Sequence, residues 1–469
     1  MNHILEYYNK AAKNWPKYRR KKSYYWENIT RFCNYFIPRQ HKVLEIGCAT
    51  GELLNNLEAT TKTGIDFSPE MINIARAQFP HIHFHTMRAE EISLPERYDT
   101  IILSNLAGVL PDVEKVFHEL NKVSHSGTRI IVTYYNRLWE PILRLAETLH
   151  LKRKSPLQNW LSTNDLKNLL YLAGFETYRV NKNMLIPFYI PGISWFFNRI
   201  ISRLPIIRHL SLNNYLFARP FPDESQPKTE ASTSIIIPAR NEAGNIEDAI
   251  RRIPHFGKKA EIIFVEGNST DNTWAVIQEM QKKYASECNI KILQQPGKGK
   301  GDAVRAGFRE ASGEILMILD ADLTVPPEDL PRFYNALTSR KGDFINGVRL
   351  VYPMEKNAMR PLNTVGNYFF SMLFSWLLEQ PIKDTLCGTK VMFKSDYQKL
   401  SDNRAFFGEF DPFGDFDLLF GAFKLNLKII DLPIRYQERK YGNTNISRFS
   451  HGLILLKMAA FAAGKIKFW

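Results

Sequence analysis

Short apolar runs rich in β-branched residues recur along this chain, each followed by a stretch with helical spacing of its apolar positions, and that alternation limits the fold more than any other feature of the sequence. Strands separated by helices read as parallel sheets wound with helices, the α/β class. In the first half the runs are 42–46, 62–66, 81–86, 100–104 and 128–134; in the second they are 233–238, 261–266, 290–294, 314–319 and 343–347. Between the two sets, Arg219-Pro220-Phe221-Pro222-Asp223-Glu224-Ser225-Gln226-Pro227-Lys228-Thr229-Glu230 replaces apolar periodicity with prolines and charges. A boundary is expected there, with domains at 1–218 and 232–469 and a linker at 219–231. At 469 residues the chain is too long for one ordinary core and long enough for two.

Charge narrows the partners. The chain holds 62 Lys and Arg against 48 Asp and Glu, a formal charge of +14, so an anionic partner is expected. No nucleic-acid reader motif accompanies that charge, which leaves phosphorylated substrates and anionic headgroups ahead of nucleic acid. Cys33, Cys48, Cys288 and Cys387 are far apart and have no metal-ligand spacing, as in a reducing compartment without structural disulfides. Met1-Asn2-His3-Ile4-Leu5-Glu6 lacks the basic flank and apolar stretch of a secretory signal, and a cytoplasmic location is expected.

In the second half, Ile318-Leu319-Asp320-Ala321-Asp322 ends an apolar strand in two carboxylates one residue apart. Alternation along a strand points Asp320 and Asp322 to one side, and oxygen ligands so spaced suit Mg²⁺ or Mn²⁺ carrying a nucleotide's phosphates. A solvated turn also yields Asp-x-Asp; the neighbouring runs favour the metal site. One strand ends in Pro238 and Ala239 with Arg240 and Glu242 opening the next helix; another ends in Glu266 with Ser269 beyond it; and Gly299-Lys300-Gly301-Asp302 supplies flexible backbone near the same edge. Residues in such turns reach a nucleotide lying over the strand ends, with Arg240 and a helix N-terminus favouring its diphosphate and Glu266 its base or ribose.

Together these runs resemble the family-2 glycosyltransferases, which have a GT-A type fold, over about residues 232–450. Gly347-Val348-Arg349, Asp384-Thr385-Leu386-Cys387-Gly388-Thr389-Lys390 and Arg439-Lys440-Tyr441-Gly442-Asn443-Thr444-Asn445 are similar to the polyprenyl-phosphate sugar transferases, the group containing dolichyl-phosphate mannose synthases. The resemblance implies a nucleotide-sugar donor, a polyprenyl-phosphate acceptor, metal held by Asp320 and Asp322, and Arg349 and Arg439 on phosphates, where a guanidinium fork donates two hydrogen bonds at once. It also implies an acidic catalytic residue within 409–417, with Asp415 and Asp417 as candidates. Three positions depart from the pattern: Glu266-Gly267 for two adjacent acids, Thr324 for a Gln, and Thr444-Asn445 for Ser-Lys.

In the first half, Val43-Leu44-Glu45-Ile46-Gly47-Cys48-Ala49-Thr50-Gly51-Glu52-Leu53-Leu54 reads as a strand, a glycine-rich turn and the start of a helix. Gly47 and Gly51 let the backbone bend and a ligand approach it, while Asp66, at the end of the next strand, is placed to accept hydrogen bonds from both ribose hydroxyls of an adenosine. With Tyr98-Asp99-Thr100-Ile101-Ile102, this half resembles the class I S-adenosylmethionine-dependent methyltransferases over roughly residues 35–180. Glu45, Gly47, Gly51 and Asp66 match their motifs; the resemblance implies S-adenosylmethionine as cofactor, with Cys48 in its turn and Ala89 and Glu90 framing the base. Arg88 stands where an Asp is usual. No Asn-Pro-Pro-Tyr run marks an amino-group acceptor, and His118, His125, Tyr134 and Tyr135 read as surface or packing residues before they read as bases.

Three stretches bear on a membrane. Residues 185–217 set Phe188, Trp195, Phe196 and Phe197 among Arg199, Arg203 and Arg208, as a lid, a membrane contact or core packing. Pro361–Leu378 carries no charge but is diluted by Asn363, Thr364, Asn367, Ser371 and Ser375, so an interfacial helix is expected rather than a span. Residues 452–463 are apolar around Lys457 and are followed by Lys465, Lys467 and Trp469, as an interfacial end or a packed terminal helix. The expectation is two Rossmann-like doubly wound domains joined in one bifunctional enzyme, peripheral at the cytoplasmic membrane face. The alternative is sugar transfer to a glycan or soluble hydroxyl, with a first half that only binds S-adenosylmethionine or recruits a partner.

Overall fold

The computed structural model describes residues 2–222, 230–352, 361–402, 414–439, 441 and 448–468. Two compact units divide the chain, one within residues 1–223 and one within 224–467. The first is built on β1 (Lys42–Ile46), β2 (Thr61–Asp66), β3 (His83–Thr86), β4 (Tyr98–Ser104), β5 (Ser124–Tyr135), β6 (Phe175–Asn183) and β7 (Asn213–Pro220). They form one sheet in the order β3-β2-β1-β4-β5-β7-β6, parallel except for β7, which runs against both neighbours. Val43, Leu44 and Ile46 of β1 are fully buried, as expected of a strand covered by helices on both faces. Because β2 and β4 flank β1 on opposite sides, the connections diverge there and open a crevice beyond its carboxyl end.

Two strands here escape the apolar-run criterion. In β6 polar residues outnumber apolar ones, with only Phe175, Tyr178 and Val180 apolar or aromatic, and β7 is buried yet includes Asn213, Asn214 and Arg219. One expectation is corrected by it: Arg219 and Pro220, assigned to the linker, close this strand, while residues 213–217 take the core-packing alternative left open for the aromatic and basic stretch. Arg219 misleads because its charge is paired inside the sheet: it faces Glu176 of β6 in register, and its Nε donates to Glu176 Oε1 at 2.7 Å. Ahead of β1, the helix Ser23–Phe36 packs on this part of the sheet, with Phe32 stacked 3.7 Å from Tyr215 and Phe36 edge-on to Phe217 at 5.0 Å.

The second unit repeats the plan with β8 (Ser232–Ala239), β9 (Lys259–Glu266), β10 (Asn289–Gln294), β11 (Ile315–Ile318), β12 (Phe344–Val348), β13 (Lys390–Phe393) and β14 (Ile429–Pro433). The order is β10-β9-β8-β11-β13-β12-β14, with β13 antiparallel to β11 and β12. The crevice lies between β8 and β11, so Asp320 and Asp322 follow directly on its wall. The helix Pro361–Leu378 buries Phe374, Leu377 and Leu378, with Phe374 4.4 Å from Phe416 and 5.3 Å from Phe420, while Val365, Tyr368, Phe369 and Met372 face out. The helix Arg448–Ile466 likewise buries Leu455, Met458 and Ala462 and exposes Leu453, Leu456 and Phe461. Among the described residues no helix is long and apolar enough to cross a membrane.

Replacing Arg219 with Ala removes the guanidinium that pairs with Glu176 at the last strand of the first sheet. Stability should fall by about 3 kcal/mol, the lower end for a broken buried pair because Glu176 keeps some contact with water. Urea unfolding followed by circular dichroism measures it; an unchanged midpoint would contradict a structural role for the pair.

Candidate active sites

At the carboxyl end of β1 the chain turns through Gly47 and Gly51, both at positive φ, +74° and +82°. A Cβ on Gly47 would stand 2.7 Å from Leu106, and one on Gly51 2.7 Å from Phe84, so only glycine fits the turn at either place. The turn brings the Ala49 amide to Asp66, donating to Oδ2 at 2.9 Å; the Ser68 amide donates to Oδ1 at 2.9 Å. Burial pushes the Asp66 carboxyl up to about 6, against the pull of these two hydrogen bonds. Each oxygen keeps a second lone pair for a hydroxyl donor, as a ribose requires.

Glu45, Gly47, Cys48, Ala49 and Asp66 line a cavity of about 250 Å³ with Ala89 and Glu90. Burial raises Glu45 to about 8, with Arg19 opposing, and its Oε2 has no hydrogen-bond partner. A buried acceptor without a donor, beside a turn only glycine fits and a carboxylate with lone pairs to spare, suits the amino, ribose and base groups of S-adenosylmethionine. Arg88 sits 3.7 Å from Glu90, which balances the departure at that position.

The sequence reading missed most of the opposite wall. Tyr8, Trp15, Arg19 and Trp26, from helices ahead of β1, line the cavity, and the Arg19 guanidinium lies 3.4 Å over the Trp26 ring. Aromatic residues at helical spacing over 7–26 were the available signal, but they precede the stretch that matched a known motif. Of the four candidate bases, Tyr134 and Tyr135 line the cavity, and the Tyr134 hydroxyl is 2.8 Å from Thr163. His125 lies 3.1 Å from Asp99 near the amino ends of β5 and β4, away from the cavity, and His118 is on a surface helix beside Glu114.

In the second unit the crevice holds interlocked ion pairs. Arg439 donates to Glu242 Oε1 at 3.0 Å and to Asp322 Oδ2 at 2.6 Å. Burial raises Glu242 to about 7 even with that guanidinium beside it. Asp322 Oδ1 accepts from the Thr324 hydroxyl at 2.8 Å, so the Thr in place of a Gln fixes this carboxylate. Lys300 is 2.5 Å from Asp320. Burial pulls the Lys300 ammonium down, but Asp320 and Asp415 outweigh it and hold it above its ordinary value; Asp320 is in turn held low. Gly388 lies against this pair, where any Cβ would overlap Asp320 Oδ2 and Lys300 Nζ.

Asp415 and Asp417 open the helix Asp415–Lys424 and both are buried. Asp415 is 3.1 Å from Lys390, whose side chain is fully enclosed. Arg349 is gripped by Asp384 through Nε at 2.7 Å and Nη2 at 2.9 Å. The motif that contains Asp384 and Lys390 was read in the sequence, but their part in holding Arg349 and Asp415 was not. Other candidates hold loops: Asp302 accepts from the Gly297 amide at 2.8 Å, Glu266 accepts from the Ser269 amide, and the Ser269 hydroxyl accepts from the Asn241 amide at 3.0 Å. Pro238 and Ala239 end β8, and Arg240 is exposed beside them. Residues 409–413, Lys440 and 442–447 lie outside the described residues.

Among the described residues no group of three or more His, Cys, Asp or Glu side chains is placed to hold a metal ion. Two hard carboxylates are present in Asp320 and Asp322, and Mg²⁺ is commonly bound by one or two carboxylates with phosphate and water completing the shell. That donor set fits a divalent cation brought in with a diphosphate.

Comparison with known proteins gives each half a match. Residues 17–180 match a methyltransferase domain family, and residues 234–406 match glycosyl transferase family 2. The chain is 39% identical to a dolichol-phosphate mannosyltransferase of Pyrococcus furiosus over 107 residues, 22% of this chain and 29% of that protein. It is 33% identical to an undecaprenyl-phosphate 4-deoxy-4-formamido-L-arabinose transferase of Pseudomonas savastanoi over 25% of this chain and 35% of that protein. A dolichyl-phosphate beta-glucosyltransferase of Trichomonas vaginalis is 28% identical over 48% of this chain and 72% of its own length. The chain thus spans about a third of the length of the first two relatives. Among solved structures, a SAM-dependent methyltransferase from Thermotoga maritima aligns with 46% of this chain and 99% of its own at 18% identity and a TM-score of 0.38. Residues 17–180 of this chain are thus similar to a methyltransferase domain and residues 234–406 to glycosyl transferase family 2.

Proposed function

We propose that this protein is a bifunctional enzyme that transfers methyl groups from S-adenosylmethionine and, in its second unit, transfers a sugar from a nucleotide-sugar to polyprenyl phosphate, with Mg²⁺ or Mn²⁺, at the cytoplasmic face of a membrane. The observation that carries the sugar-transfer reading is the meeting of Asp320 and Asp322 with Lys300, Glu242 and Arg439 at the β8–β11 crevice. A divalent cation there would offset charge on the leaving nucleoside diphosphate. Lys300 and Arg439 add two cations within reach of the same phosphates. A phosphate acceptor is favoured over a hydroxyl because it arrives ionised and needs no base, while Asp415, one of the candidate bases, is already ion-paired with Lys390. The relatives' names support the acceptor class, and the outward aromatic face of Pro361–Leu378 supports a membrane surface.

For the first unit the reading rests on Asp66, its two amide donors and the Gly47–Gly51 turn. The domains proposed for the two activities are residues 1–218 and 232–469, with the first unit's sheet running on to Pro220.

Asp322→Asn keeps the shape of the side chain and loses the charge that binds a hard cation, so sugar transfer assayed with nucleotide-sugar and polyprenyl phosphate should collapse. Retention of wild-type rate in chelator would refute the metal role. Gly388→Ala should abolish the same transfer by driving Asp320 from Lys300, although it removes no functional group; calorimetric titration of S-adenosylmethionine should be unaffected.

Asp66→Ala should weaken S-adenosylmethionine binding by about 1–3 kcal/mol. In the wild type, affinity should fall as pH drops through about 6, because protonation replaces an acceptor lone pair with a donor where the ribose hydroxyls must donate. Calorimetry at several pH values tests the sign; binding that strengthens in acid would contradict the role given to Asp66.

A further inference from the structure

We infer that the methyl acceptor is a sugar carried on a phosphorylated hydrocarbon chain and that it reaches the cavity from a bilayer on which the first unit itself rests; this rests on the methyl-transfer reading above and names its substrate class. The helix Glu140–Thr148 buries none of its residues, and it holds Ile142 and Leu145 at 53% and 59% exposure. A second element, the excursion between β6 and β7, holds Trp195 at 54% and Ile206 at 85%. The two are joined, since Trp139 Nε1 donates to the Leu210 carbonyl at 2.7 Å and the Asn136 amide to those of His209 and Ser211 at 2.8 and 2.9 Å. Single exposed leucines are ordinary, but large apolar side chains gathered on adjoining elements mark a surface that something covers.

Charge identifies the cover. Residues 184–212 include Arg199, Arg203 and Arg208 and contain no Asp or Glu. Arg203 is buried, which leaves Arg199 and Arg208 at the surface of this segment, and on the adjoining helix Glu140 is paired with Arg144 and Glu147 with Lys152; apolar side chains with cations and paired acids among them suit acyl chains beneath anionic headgroups. The Arg199 guanidinium lies 6.0 Å from the Trp195 ring, pairing a headgroup cation with an interfacial aromatic.

The same face adjoins the cavity. The chain leaves the cavity wall at Tyr135, forms the exposed helix, and re-enters the wall at Lys152, Arg153 and Lys154. Arg153 lies 4.7 Å over Tyr7, whose hydroxyl donates to the Lys154 carbonyl. Flat rings suit the C–H face of a sugar, and the adjoining cations suit a phosphate. A hydrocarbon chain leaving that phosphate meets the apolar face directly. In the step itself, a sugar hydroxyl oxygen forms the new O–CH₃ bond as the S–CH₃ bond of the sulfonium breaks. Sulfur keeps the electron pair and becomes a neutral thioether, and the hydroxyl proton leaves to water.

The test uses the full chain with vesicles of equal parts phosphatidylcholine and phosphatidylglycerol. Hydrogen exchange should slow in peptides covering 138–151 and 193–210 when vesicles are added. With methyl-labelled S-adenosylmethionine and vesicles carrying a total extract of polyprenyl-linked sugars, label should enter the organic phase, and Leu145→Glu should cut that by about tenfold. Calorimetric binding of S-adenosylmethionine should be unchanged in that variant. Label confined to aqueous products, no protection of those peptides on vesicle-bound protein, or unaltered labelling in Leu145→Glu would each overturn the inference while leaving the cofactor reading intact. A wild type that binds no S-adenosylmethionine would instead remove the cofactor reading and this inference together.

Discussion

Carboxylates are buried at the carboxyl ends of parallel strands in both units, and both sites depend on what meets the cost of burying them. An unpaired charge in a low-dielectric crevice is expensive enough that the group shifts its protonation or finds a partner. The two units use different partners. In the first, Asp66 is held by two backbone amides and no cation, and burial raises it to about 6. In the second, Asp320, Asp322, Asp384 and Asp415 each face a Lys or Arg side chain, and Asp320 and Asp384 are held low against the pull of desolvation. Amide donors leave a carboxylate with lone pairs for neutral hydroxyls; paired cations keep a carboxylate anionic at a site meant for further charge.

That difference follows from chain order. Turns that follow strands present backbone N–H groups close at hand: the Gly47–Gly51 turn gives Asp66 the Ala49 amide, and the turn directly after Asp66 gives it the Ser68 amide. The ion pairs of the second unit instead join residues far apart in sequence: Arg439 reaches Glu242 and Asp322, and Lys390 reaches Asp415. Such contacts exist only once the sheet has formed, because β13 inserts antiparallel between β11 and β12 and carries Lys390 to the crevice.

Local chemistry explains what was legible in the sequence. The strands flanking each crevice carry short apolar stretches that run into a glycine turn, an acid or a Pro-Ala end, so β1, β2, β8, β9 and β11 were readable to within about two residues, the usual uncertainty of element ends. The antiparallel strands were not: β7 hides a buried ion pair at Arg219, and β13 is four residues long with a buried lysine at its start. Their polar residues are satisfied across the sheet by partners that no window of sequence contains. The wall of the first cavity built from helices before β1 was missed for a similar reason, since Trp15, Arg19 and Trp26 acquire their position by packing and not by a motif.

Residue type alone cannot separate a side chain that holds a ligand from one that holds a loop. Glu266, Asp302 and Arg349 all fit the pattern for nucleotide or phosphate contact, yet Glu266 and Asp302 accept backbone amides of their own loops, and Arg349 is bound on two nitrogens by Asp384. A carboxylate that accepts N–H bonds is chemically the same whether the donor is a base, a ribose or a peptide. What distinguishes Asp320 and Asp322 is their setting: they follow the strand that forms one wall of the crevice, and each is paired to a cation only partly enclosed, Lys300 and Arg439, whereas Arg349 and Lys390 are held by carboxylates within the fold. A partly enclosed long side chain can exchange one oxygen partner for another at small conformational cost, and a clamped one cannot. In the proposed reading Lys300 and Arg439 are the cations that would turn to a ligand's phosphates, while Arg349 and Lys390, paired with Asp384 and Asp415, hold those acids in place.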